Sequence, residues 1–301
     1  MAEVSPQIAA ILAAEPPAPE ASAPLDLPVL RAGYLQTALE LGGTPMEVGS
    51  ARDLLIERAD APPVRVRVYR STAAGASPLG AIVWHHGGGW VMGDLDGFDH
   101  VARELCEVAG RVVVSVDYRL APEHPFPAAV DDARAALRFV AGAGAEELGV
   151  DPGRVAVGGD SAGGLLATQA ALLEPGLATA QLLVYPALDP LMTGAAYREF
   201  EAGPGLAAAQ MAAFWAAFHG DAPPETLALP AVTAGAPPAW IAIAAHDPLR
   251  DDGLAYAAAL REAGVQAQVA VYDDMTHGFL RWGGVVDRAH ELIAWLAAAV
   301  R

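Results

Sequence analysis

The sequence predicts an α/β fold: one domain in which a mostly parallel sheet of eight strands is flanked by helices, with a helical cap over the strand ends. Three observations predict it. Short apolar runs alternate with longer stretches of helical period, the pattern of parallel strands joined by crossover helices. The chain has 301 residues, 53% of them hydrophobic, enough for one large core. Two stretches, about 1–45 and about 190–230, fall outside the alternation and read as the cap.

Taken in order, the chain opens with a short helix started by Ser5-Pro6 and a longer one from Val29 to Leu41, joined by a Pro/Ala-rich link. Strands follow at about 53–58 and 63–70. The third, about 81–85, is the buried run Ala81-Ile82-Val83-Trp84-His85, and it leads to a helix from Phe98 to Ala109. Next come a strand at about 112–117, a helix from Ala128 to Val140, a strand at about 154–158 and a helix from Ala162 to Leu173. The sixth strand lies at about 180–185, and the cap helix Ala207 to His219 carries Phe214, Trp215 and Phe218. Strands at about 240–245 and 267–272, with helices from Gly253 to Ala263 and from Val285 to Val300, complete the domain.

Chemistry concentrates at the ends of these strands. Gly159-Asp160-Ser161-Ala162-Gly163 puts one serine in a G-x-S-x-G frame directly after an apolar strand. A strand must turn into a helix there within about two residues, and glycine flanks let the backbones pass without a Cβ clash. Such an elbow exposes the Ser161 hydroxyl as a nucleophile. No Lys-Ser/Thr pair follows the glycines, so a phosphate cradle is the weaker reading. A lone serine reacts poorly and needs oxyanion donors, a base and an acid that orients the base. The run His86-Gly87-Gly88-Gly89-Trp90 follows a core strand, so its glycines suggest amides that approach an acyl oxyanion rather than a flexible surface loop. Asp247 follows the strand at 240–245; its competitors Asp251 and Asp252 read as capping and first-turn charges of the next helix. Of eight histidines, His277 is the one that follows both Ser161 and a strand-end Asp while standing beside a glycine.

These motifs together resemble the bacterial hormone-sensitive-lipase-like esterases, serine carboxylesterases of the α/β-hydrolase superfamily. The segment Asp117-Tyr118-Arg119-Leu120-Ala121-Pro122-Glu123-His124-Pro125-Phe126-Pro127-Ala128 adds to the likeness, which spans roughly residues 28 to 300. The resemblance implies Ser161 as nucleophile, His277 as base and Asp247 as orienter, with the amides of Gly88, Gly89 and Ala162 as oxyanion hole. His86 then matches a structural histidine. His246 stands where relatives often carry an aromatic or acidic residue, and reads as a solvated loop histidine. Trp90, Phe214 and Trp215 are candidates for the substrate pocket, although cap aromatics are also ordinary core side chains.

Charge and composition bound the partners. Eighteen basic residues, all arginine, against thirty-six acidic ones give a net charge of −18, which disfavours nucleic acid and anionic membranes. The single Cys106 reads as a small buried hydrophobe. No leader and no membrane-length apolar run is evident, so a cytoplasmic location is expected. The absence of H-E-x-x-H, of a cysteine cluster and of a dinucleotide fingerprint implies neither metal nor cofactor. The expected activity is hydrolysis of short to medium acyl esters through an acyl-enzyme. The alternative is an amidase or deacetylase of an N-acyl metabolite using the same residues, and family likeness also allows a homodimer.

Overall fold

The computed structural model describes residues 3–14, 26–73, 75 and 78–301. The Pro/Ala-rich link at 15–25 lies outside the described residues. Eight strands form one sheet: β1 (Ser50–Ile56), β2 (Val64–Arg70), β3 (Leu79–His85), β4 (Val112–Asp117), β5 (Val150–Asp160), β6 (Ala180–Val184), β7 (Ala239–His246) and β8 (Ala267–Thr276). Their spatial order is β1-β2-β4-β3-β5-β6-β7-β8. β2 is antiparallel to both β1 and β4, and every pairing from β4 through β8 is parallel. The parallel strands all end at the same edge.

Alternation along the strands builds two apolar layers, because successive side chains point to opposite faces. Val83, Val114, Val157, Leu183 and Ile241 face α4 (Ala128–Val140), α6 (Ala162–Leu173) and α9 (Arg250–Glu262). Ile82, Trp84, Val113, Ala156 and Leu182 face α3 (Asp99–Ala109) and α10 (Asp287–Ala298). At roughly 1.5–3 kcal/mol for each large apolar side chain buried, these layers dominate the favourable side of folding. α6 is buried on all sides through its first ten residues, which is why its sequence is apolar all round.

Two helices precede the sheet, α1 (Pro6–Ala14) and α2 (Leu27–Leu41). Pro28 stands in the first turn of α2, and the Asp26 carboxylate accepts from the Val29 amide at 3.3 Å, so the start falls two residues before the expected Val29. The short helices α5 (Ala145–Leu148) and α7 (Ala195–Glu199) have no counterpart in the sequence reading, being too brief for a periodic signal. α8 (Ala208–His219) is the expected cap helix. β5 starts four residues before the expected 154, across Pro152 and Gly153, and β8 runs four beyond 272 through Asp273 and Asp274; both extensions are polar or turn-like in composition and carry no strand signal.

Candidate active site

Ser161 occupies the turn between β5 and α6 with φ +54° and ψ −120°, a strained conformation for a residue with a Cβ. The flanking glycines make that turn possible. A Cβ on Gly163 would meet the His85 carbonyl oxygen at 2.0 Å, and one on Gly159 would meet the Gly163 carbonyl oxygen at 2.4 Å. The Ser161 amide donates to the Val184 carbonyl at 2.8 Å, anchoring the elbow to β6.

The three residues separated in sequence meet at this strand edge. His277, directly after β8, holds Nε2 2.9 Å from Ser161 Oγ and Nδ1 2.7 Å from Asp247 Oδ2. Asp247 follows β7 without a gap and is fully buried. Its second oxygen accepts from the Leu249 amide at 2.8 Å, so the carboxylate is held from both sides. The Tyr185 ring packs 4.6 Å from that of His277. A proton on Nδ1 would be held by Asp247, leaving Nε2 free to accept from the serine hydroxyl.

The glycine run after β3 turns toward the same point. Gly88 has φ +124°, a conformation that favours glycine, and Gly89, at φ +59°, has no room for a Cβ beside the Phe214 ring. Among the described residues, neither of their amides nor that of Ala162, the first residue of α6, donates a backbone hydrogen bond outside regular elements. The preceding Gly87 amide donates to Asp160 Oδ1 at 2.9 Å. Asp160 was not singled out by its sequence motif, yet it joins the elbow to the glycine loop. It is 1% exposed, and burial pushes its carboxyl up to about 7.

His86 is buried, stacked 4.3 Å from the Tyr118 ring, and its carbonyl accepts from Tyr118 Oη at 2.8 Å. Burial drives its imidazole down to about 4, so it is neutral near pH 7. Trp90 is fully buried; its Nε1 donates to the Ala162 carbonyl at 3.0 Å, and its ring packs 4.4 Å from Phe218 and 4.2 Å from Trp215. Trp215 thus packs behind the loop. Phe214 instead abuts it, since a Cβ on Gly89 would lie 2.5 Å from Phe214 Cγ.

Two sequence expectations are corrected. His246 is not a solvated loop residue: it ends β7, is 6% exposed, and its Nε2 has no partner among the described residues. The strand simply runs further than its apolar run. Asp251 and Asp252 lie in the first turn of α9 but do not cap it. Asp252 Oδ2 accepts from the amides of Leu188 and Asp189 and from Tyr197 Oη, and Asp251 accepts from the Ala196 amide. They clamp the segment leaving β6 instead. A cavity of about 460 Å3 beside that clamp is lined by Leu188, Asp252 and Tyr256, and Ser161 is not among its lining residues. Among the described residues no group of three or more His, Cys, Asp or Glu is placed to hold a metal ion.

Comparison with known proteins agrees with this geometry. A family model described as alpha/beta hydrolase fold matches residues 82–281. The carboxylesterase NlhH of Mycobacterium tuberculosis is 41% identical over 250 residues, covering 79% of this chain and 78% of its own. An ethyl acetate hydrolase of Pseudomonas putida is 34% identical over 283 residues, covering 90% and 88%. Among solved structures, a hyperthermophilic esterase from the archaeon Pyrobaculum calidifontis superposes with a TM-score of 0.87 at 35% identity, covering 99% of this chain and 98% of that one.

Proposed function

This chain belongs to the α/β-hydrolase-fold family as a serine esterase acting on small to medium esters, and we propose that Ser161, His277 and Asp247 carry out the hydrolysis. The observation that supports these roles is the unbroken relay from Ser161 Oγ through His277 to the buried Asp247 carboxylate. His277 Nε2 takes the serine proton as Oγ attacks the ester carbonyl. The amides of Gly88, Gly89 and Ala162 receive the oxyanion, a contribution typically of about 3–4 kcal/mol for each donor. Asp247 fixes the tautomer and stabilises the imidazolium, which then protonates the departing alcohol. Water repeats the sequence on the acyl-enzyme, releasing the acid and restoring Ser161.

Phe214 forms a wall of the acyl pocket beside Gly89, with Trp90 and Trp215 packed behind it. The fold is one catalytic domain whose cap comprises about 1–45 and about 190–230, and its expected setting is the cytoplasm, tested by fractionating the producing cells. Ser161→Ala tests the nucleophile: hydrolysis of a dissolved chromogenic butyrate should fall by about 10⁶ with the fold intact. Turnover above a hundredth of wild type would overturn the assignment. Rates on matched ester and amide substrates test the reaction class. The ester should be turned over faster, and preference for the amide would favour a deacetylase.

A further inference from the structure

At the N-terminal ends of the central strands, the sheet edge opposite Ser161, positive charge collects in a protein whose net charge is −18. Arg111 stands just before β4, Arg154 lies in the early part of β5, and Arg301 follows α10. With Gly153, Thr179 and Trp240 they line a cavity of about 160 Å3. Most other arginines pair with a carboxylate, among them Arg31, Arg67, Arg119 and Arg250. Among the described residues these three do not.

Arg111 is the built part of the site. It is 7% exposed; Nη1 donates to the Arg154 carbonyl at 3.1 Å, while the buried Nε has no acceptor among the described residues. Gly80, at the start of β3, makes room for it, since a Cβ there would lie 1.5 Å from Nη1. The chain omits a side chain on one strand so that a guanidinium can lie across the strand ends.

Such a cation needs compensation. Arg301 Nη2 donates to the Val108 carbonyl at the end of α3, and Ala299 and Val300 bring the end of α10 to the cavity. Each helix C-terminus supplies about half a negative charge and Arg301 also carries an α-carboxylate, so together they offset roughly two of the three positive charges and leave a net cation at the cavity. Burial and the neighbouring Arg154 both push the Arg111 guanidinium below its ordinary value. An anion in the cavity would relieve both effects.

We propose that Arg111, Arg154 and Arg301, with Trp240 as a wall, form a binding site for a phosphate group at the sheet edge remote from the nucleophile. Guanidinium forks match phosphate oxygens in pairs. The cavity is open to solvent and leaves room for a phosphate group among the three guanidinium groups. The site goes beyond the esterase reading and does not depend on it.

Thermal unfolding of the full chain in sodium phosphate, against sodium chloride of matched ionic strength, tests the proposal. The expected result is a saturable rise in Tm of about 2–4 °C specific to phosphate, lost in Arg154→Ala and in Arg111→Met and kept in Arg288→Ala. Arg154 is exposed, so its variant carries the test alone should Arg111→Met fail to fold. Glycerol 3-phosphate matching or exceeding the inorganic ion assigns the site to a phosphomonoester, whereas a response to the inorganic ion alone assigns it to free phosphate. Equal Tm values in phosphate and chloride, or a phosphate-specific rise that survives Arg154→Ala, would overturn the proposal.

Discussion

Asp160 and Asp247 are both buried carboxylates at the same strand edge, and their partners separate their roles. Asp247 holds the His277 ring, so Asp247→Asn should lower kcat by about 10⁴ by favouring the wrong tautomer, with a much smaller change in KM. Near-normal turnover in that variant, with Asp251→Asn inactive, would remove Asp247 from the relay. Asp160 touches no substrate atom in the proposed mechanism; it acts through the Gly87 amide on the loop that holds Gly88 and Gly89, the proposed oxyanion donors. Asp160→Asn keeps an oxygen acceptor and should stay within about tenfold of wild type, whereas Asp160→Ala should lose about 10²–10³ in kcat. Equal losses in both variants would mean that the charge matters and not the hydrogen bond. Ser161, His277 and Asp247 were legible because each follows an apolar strand in a fixed chain order. The role of Asp160 was not, since its meaning lies in contact with a residue 73 positions away. His246 was misread for a related reason: nothing in an apolar run shows that its strand continues by one more residue.

The cap helix and the glycine loop form one packed unit above the elbow. Trp90 is gripped by Ala162 below and by Trp215 and Phe218 above, while Phe214 lies nearest to Gly89. Arg31 of α2 adds a tie from the N-terminal side, donating to the Val91 carbonyl at 2.8 Å and pairing with Glu123. Neighbouring rings on one helix therefore differ in consequence. Phe214→Ala should move the acyl-chain optimum toward longer esters, and Trp215→Ala should lower rates at all chain lengths and reduce folding stability by the roughly 3–5 kcal/mol typical of a truncated core aromatic. A chain-length series of chromogenic esters on both variants checks this, and the same uniform loss in both would assign Phe214 to packing as well. The helix was legible from its period and its aromatics. Which ring faces the loop was not, because α8 is apolar nearly all round and its moment gives no direction.

At the scale of the molecule, strand and helix alternation foretold the sheet, but no local signal gave the way its charges titrate on folding. Two buried carboxyls are raised to about 7 by desolvation, Asp160 and Asp252. Their contribution is fully present below the unfolded value near 4 and is lost as pH rises toward 7. Three buried imidazoles, His85, His86 and His100, are lowered to about 4, again chiefly by burial. Their contribution is present above about 6.5 and is lost as pH falls toward 4. Burial raises the Asp117 carboxyl as well, so three imidazoles that gain stability with rising pH are opposed by three carboxyls that lose it, and stability should vary little from pH 4 to about 6.5. Above that the raised carboxyls and His290, whose imidazole its hydrogen bond to Glu104 holds up, lose stability with rising pH, and self-repulsion of a net charge of −18 acts in the same direction, so stability should decline. Maximal stability is therefore expected below about pH 6.5. Salt separates the two causes of the decline, since it screens surface repulsion and leaves buried groups nearly untouched. Thermal melts of wild type and Asp252→Asn across this range provide the check, because Asn cannot ionise. The Tm difference should move in the variant's favour as pH rises from about 4 to about 7, and it should do so equally at low and high salt. A difference independent of pH would show that Asp252 keeps an ordinary carboxyl pKa, and that its clamp on Leu188, Asp189 and Tyr197 holds the charged form without cost.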